Sequence, residues 1–182
     1  MFEPNEKLAT SQLYLEGKGT GPEAVVVGGD SLLYTGFENG NIIQFSPDGT
    51  NAKVFTNTGG RPLGMKLAAN KNLIVADGIL GLLSVDTLGK VTVLTNEVNG
   101  TKIFFADDLD IASNGMIYFS DATQRNHDVM KEVWELQPTG RLLSYNPATK
   151  ETKVEMEGLR FANGVAIGPN EDYLLVLSLI HI

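Results

Sequence analysis

The sequence predicts an all-β fold, a partial six-bladed β-propeller, on three observations. Short β-branched and aromatic runs alternate with turn residues along the whole chain. They fall into sets of four, and each set opens with a similar phrase, "GPEAV", "RPLGM", "FADDL" and "FANGV". The openings at Glu23, Gly64, Asp108 and Gly164 are 41, 44 and 56 residues apart. Four strands recurring every ~40–45 residues is the signature of a propeller blade. An open antiparallel sandwich also uses short strands and frequent turns. Repetition of whole four-strand phrases favours the propeller.

The first blade spans 22–57, with strands in "AVVVGG", "SLLYTG", "NIIQFS" and "AKVFTN". The second, 62–96, uses "GMKLAA", "NLIVAD", "GLLSVD" and "KVTVLT". In the third, 105–157, "LDIAS" and "MIYFSD" are separated from "RLLSYN" and "TKVEME" by the polar insert "ATQRNHDVMKEVWELQPT". That insert carries a short helical pattern near 125–137, with Trp134, Val133 and Leu136 expected to pack it down. A fourth blade begins at 161–178 with "GVAIG" and "YLLVLS". Together these make one incomplete domain, 1–182, of about three and a half blades. A half-ring leaves strand edges unpaired, so modest independent stability and a tendency to aggregate are expected.

Composition narrows the chemistry. A net charge of −8, with no basic cluster interleaved with aromatics, excludes nucleic acid as a partner and disfavours anionic membrane surfaces. No apolar run approaches the ~18 residues needed to span a bilayer. The chain has no cysteine and two histidines, His127 and His181, so thiolate chemistry and His-rich zinc or iron sites are out. Any metal should accept oxygen ligands, as calcium or magnesium does.

"FADDLD", residues 105–110, puts three carboxylates within four positions. Such crowding resists burial unless a positive charge intervenes. On its own it reads as a solvated turn. In a propeller, residues just ahead of each blade's first strand sit on one rim of the central channel. Glu23, Asp107 or Asp108, and Asn163 share that position. Their oxygens would converge on the axis, where a calcium ion gathers six to eight oxygens at ~2.3–2.6 Å.

Other motifs are weaker. "GKGTG", 17–21, lacks the strand-to-helix context and the terminal Lys-Ser/Thr of a phosphate loop. A calcium loop starting at Asp108 fails at Ala112 and Ser113. His127 and Asp128 could form an acid–base pair, but their polar insert favours a solvated loop. Asn163-Gly164 alone would be a hairpin turn. Asn99-Gly100-Thr101 fits a glycosylation sequon.

Over nearly its whole length, from about Asn5 to Val176, the sequence resembles a known group. "GRPLGMKLAANKNLIVADGILGLLSVD", "FADDLDIASNGMIYFSDA", "GRLLSYNPATKETKV" and "GLRFANGVAIGPNEDYLLV" are similar to the strictosidine synthase-like branch of the gluconolactonase and senescence-marker-protein superfamily. The resemblance implies a six-bladed propeller with axial Ca²⁺ in its hydrolytic members, which open lactones or esters and so take small-molecule substrates. Carried over, the metal ligands are Glu23, Asp107 and Asn163, and Asp108 is the carboxylate assigned to the reaction, orienting a ligand or a water. The usual pattern has Asn at position 107; an Asp there still ligates calcium but changes the charge of the site. Two alternatives stay open: a metal-free condensation of the strictosidine synthase type, whose essential Glu lies outside this span, and a non-catalytic binding platform. Six blades need roughly 250–300 residues, so the chain is expected to be a fragment. Residues 179–182, in the pattern-breaking "VLSLIHI", are expected to be a non-native end. Relatives of this kind are secreted, periplasmic or membrane-anchored.

Overall fold

A computed structural model describes residues 7, 9–125, 127–128, 130–131, 134 and 137–178. The chain folds almost wholly into strands. Strands β1 (Val25–Val27), β2 (Leu33–Gly36), β3 (Asn41–Phe45) and β4 (Lys53–Asn57) make one antiparallel sheet in that order. The next sheet is β5 (Pro62–Leu67), β6 (Leu73–Asp77), β7 (Gly81–Val85) and β8 (Val91–Thr95). After a small hairpin, β9 (Glu97–Val98) and β10 (Thr101–Lys102), comes a third four-stranded sheet. It holds β11 (Ala106–Ile111), β12 (Ile117–Asp121), β13 (Gly140–Asn146) and β14 (Glu151–Leu159). The last pair is β15 (Ala162–Ile167) and β16 (Leu174–Ser178). These are the predicted blades: three complete and half of a fourth.

One turn design recurs between the first and second strands. Asp30, Asn70 and Asn114 each accept the backbone N–H two residues on through a side-chain oxygen, at 2.9–3.1 Å. The following residue, Ser31, Lys71 or Gly115, has φ between 65° and 86°. Asp and Asn suit this position because their short polar side chains close such turns themselves. At Asn99 (φ 52°) and Gly100 (φ 75°) two successive positive angles close the β9–β10 hairpin, the combination that a type I′ turn requires.

The core lies between blades, not within them. Ile74, Ala76, Leu82, Ile103, Leu109, Phe119 and Leu143 fill the space between the second and third sheets. Tyr34, Ile42, Met65, Leu73, Val75, Leu83 and Val85 do so between the first and second. Fully burying one Leu, Ile or Phe contributes roughly 1.5–3 kcal/mol, so each blade is held by its neighbours. The first strands stand side by side: β1 beside β5, β5 beside β11, β11 beside β15. At the two ends of the arc the outward faces carry exposed apolar residues, Val25 and Val27 on β1, Leu175 and Leu177 on β16.

The insert departs from expectation. Met130, Lys131 and Trp134 are helical, while Val133 and Leu136 lie outside the described residues, as does the expected non-native end, 179–182. Trp134 is 80% exposed and so does not pack the insert down. His127 does lie in an exposed bend, as expected, with its ring stacked on Phe104 at 4.1 Å between centroids. Burial, and next the Lys102 ammonium, hold its pKa below the ordinary value.

Candidate functional site

Strand register decides which residues are equivalent. Pro62 pairs with Asp77 and Met65 with Val75, so Leu63 and Gly64 together oppose Ala76. The same irregularity puts Asp107 and Asp108 opposite Ser120, and Asn163 and Gly164 opposite Leu177. Each is a β-bulge, an extra residue that bends a strand and re-aims a side chain. Counting back from Val25, paired with Thr35, puts Glu23 at the matching place in the first blade. The rim positions are therefore Glu23, Leu63, Asp107 and Asn163. Blade two contributes Leu63, not Gly64, and Asn163-Gly164 is a bulge inside β15 rather than a hairpin turn.

Asp107 is where the predicted set comes together. Asn163 Nδ2 donates to Asp107 Oδ2 at 2.8 Å, linking the third and fourth blades. Asp107 is only 4% exposed. Burial pushes its carboxyl up to about 7, and the charges of Glu23 and Asp108 add to the rise. The Asn163 amide and the Arg61 guanidinium pull weakly the other way. No ammonium or guanidinium lies within ion-pair distance of Asp107 among the described residues. A buried carboxylate with two like charges near it and one amide partner lacks a compensating cation. Carboxylate and amide oxygens suit a hard divalent ion such as calcium or magnesium. Among the described residues no three His, Cys, Asp or Glu side chains form a metal cage by themselves.

The other two acids of "FADDLD" do different work. Asp108 Oδ2 accepts the N–H of Val165 at 2.9 Å, and Asp110 Oδ2 accepts that of Ile167 at 3.0 Å. Both tie β11 to the first strand of the next blade. Asp110 Oδ1 also faces Lys66 Nζ at 3.2 Å. The stretch is strand, not a solvated turn.

Gly64 makes this packing possible. A Cβ there would lie 2.6 Å from Asp108 Cα and 2.7 Å from the Asp107 carbonyl oxygen, both backbone atoms that cannot rotate away. We expect Gly64→Ala to force the second and third blades apart. The loss should be about 1–3 kcal/mol, the usual range for overpacking, read as a lower urea midpoint at an unchanged slope.

Two buried carboxylates behind the rim were not anticipated. Asp77, fully buried, accepts the N–H groups of Arg61, Ile79 and Leu80 on Oδ1 and the Thr58 hydroxyl on Oδ2, at 2.8–3.0 Å. Asp121, also fully buried, accepts Phe104 and Phe105 N–H on Oδ1 and Arg141 on Oδ2. Each ends a second strand and fixes the segment leading into the bulge. Their repetition, 44 residues apart in "VADG" and "FSDA", is the signal that could have found them.

Comparison with known proteins agrees with this architecture. A profile described as strictosidine synthase matches residues 107–181, and one described as strictosidine synthase-like, N-terminal, matches residues 1–45. Both matched segments thus resemble the strictosidine synthase-like family. Adipocyte plasma membrane-associated protein from Salmo salar is 37% identical over 96% of this chain and 46% of its own length. Protein STRICTOSIDINE SYNTHASE-LIKE 7 from Arabidopsis thaliana is 39% identical over 80% of this chain and 41% of its own length. The chain thus spans less than half the length of these relatives. Among solved structures, a gluconolactonase from Xanthomonas campestris superposes with a TM-score of 0.73 at 18% identity, over 88% of this chain and 55% of that one. Virginiamycin B lyase from Staphylococcus aureus superposes with a TM-score of 0.64 at 12% identity, over 91% of this chain and 51% of that one. At such identities the likeness is one of fold.

Proposed function

We propose that a protein carrying this chain is a calcium-dependent hydrolase of lactones or esters, with its site on the rim formed by the first-strand bulges. The observation that carries this is Asp107, a buried carboxylate joined to Asn163 from the next blade and surrounded by the charges of Glu23 and Asp108. Glu23, Asp107 and Asn163 would hold the ion, which, when bound, polarises a carbonyl oxygen and stabilises the charge that develops there. Asp108 sits beside Asp107 with Oδ2 fixed by Val165. That tether holds the carboxylate in one direction, so Asp108 can orient a water or a ligand toward the rim. The gluconolactonase likeness supports the propeller frame on which such a site would sit.

The strictosidine synthase profile favours a second reading, a metal-free condensation on the same rim. Calcium titration separates the two. Isothermal titration of calcium into the chain should give one saturable site, lost in Glu23→Gln and in Asp107→Ala. Heat absent from a folded wild-type sample would move the condensation ahead.

A further inference from the structure

Arg61 stands on the same rim and has no evident occupation. It lies two residues ahead of Leu63, as Phe105 and Phe161 lie two ahead of Asp107 and Asn163. Blades three and four therefore place an aromatic behind a polar rim residue, and blade two reverses this with a guanidinium behind Leu63. Leu63 in turn packs on Phe105, Ala122 and Phe161, so the apolar floor is shared and the cation stands beside it. Arg61 is close enough for its charge to act on Asp107.

The guanidinium is poorly satisfied. Its ion pair is Nη2 to Glu38 Oε1 at 3.6 Å, beyond hydrogen-bonding distance, and the Glu38 side chain is 49% exposed. Exposed pairs of this kind contribute about 0–1 kcal/mol. Arg61 Nε is buried and has no hydrogen-bond partner among the described residues. The side chain is 25% exposed, which leaves one side open. Leaving a buried donor unpaired costs about 1–3 kcal/mol, and the fork of an arginine matches a planar anion with two parallel hydrogen bonds.

We propose that Arg61 grips a carboxylate carried by the substrate, so that the preferred lactone or ester bears a free carboxyl group near its reacting carbonyl. A carboxylate fits better than a phosphate. Glu38 faces Arg61 and the charges of Glu23 and Asp108 act on neighbouring Asp107, so a single negative charge meets less repulsion there than a double one. The assignment rests on the hydrolase reading only for the word ester; the anion site stands without it.

The test uses phenyl acetate and its 4-carboxy analogue with calcium present, and titration of 4-hydroxybenzoate as a binding readout that needs no turnover. Removing one charge-assisted hydrogen bond corresponds to about ten- to a hundredfold in affinity. Arg61→Gln should raise KM for the carboxylated ester, and Kd for 4-hydroxybenzoate, by that factor. Its KM for phenyl acetate should change much less than that for the carboxylated ester. Arg61→Lys, which keeps the charge without the fork, should fall between. Equal effects on both esters, or undiminished 4-hydroxybenzoate binding in Arg61→Gln, would overturn the proposal. So would the absence of 4-hydroxybenzoate binding to the wild type. Binding that depends on Arg61 with neither ester hydrolysed would uphold the anion site and remove the hydrolase reading instead.

Discussion

Asp121→Ala should be among the most damaging single changes in the chain, lowering stability by about 3–5 kcal/mol, as breaking a buried ion pair typically does. Arg141 Nη2 meets Asp121 Oδ2 at 2.5 Å, with the two side chains 3% and 0% exposed. Removing the carboxylate strands a guanidinium where no water reaches it, with Lys102 carbonyl as its remaining partner. Two backbone N–H groups, of Phe104 and Phe105, lose their acceptor at the same time. Those groups lead directly into the Asp107 bulge, so the rim should loosen with the blade. Burial alone pushes the Asp121 carboxyl up despite its arginine, which means that desolvation dominates the pair. It follows that Asp121→Leu with Arg141→Met should recover the part of the loss due to the stranded guanidinium, while the Phe104 and Phe105 N–H groups stay without their acceptor. Urea melts of wild type and the two variants decide it. A loss below about 1 kcal/mol in Asp121→Ala would show that the pair is not a determinant of blade stability.

The blades were legible because their signal is local and repeated. Runs such as "NLIVAD" and "GLLSVD" are buried along their whole strands, and four copies of one phrase outvote any single ambiguous segment. That repetition also placed Glu23, Asp107 or Asp108, and Asn163 at one rim position. What the sequence hid was register. A bulge adds one residue without changing composition, so Gly64, Asp108 and Gly164 looked like the shared positions, while pairing assigns Leu63, Asp107 and Asn163. Cross-blade hydrogen bonds were hidden for a similar reason. Asp108 to Val165 joins residues 57 positions apart, and nothing in either neighbourhood announces the other. Arg61 was unremarkable as the start of "RPLGM", and its importance lies in a buried nitrogen that only three dimensions reveal. The exposure of Trp134 shows the opposite limit, since an apolar residue in a helical pattern has no guaranteed partner.

Asp107→Asn should stabilise the metal-free chain, and calcium should shrink its advantage; this is the sharpest test of the rim. In the metal-free chain the carboxyl is held up at about 7, against 3.8 in an unstructured one. The folded state therefore keeps a proton that the unfolded state gives up between those values, so stability falls as pH rises through that window. Below it the penalty is absent; above it the penalty is complete, on the order of 4 kcal/mol. An asparagine carries no charge to bury, and its oxygen can still accept the Asn163 amide. At pH 8 in chelator, Asp107→Asn should melt several degrees above wild type, given ~2–4 °C per kcal/mol for a chain of this size. Calcium should narrow the gap. An ion bound to the native state at a hundred times its Kd stabilises by about 2.7 kcal/mol, and affinity at oxygen sites follows the charge of the ligands. Wild type should gain that increment in full and the amide variant only part of it, because an oxygen remains but its charge is gone. Scanning calorimetry of both proteins, in chelator and in calcium, gives four melting temperatures. If the variant is less stable than wild type in chelator, then Asp107 is compensated within the protein and needs no cation, and the rim would no longer call for one.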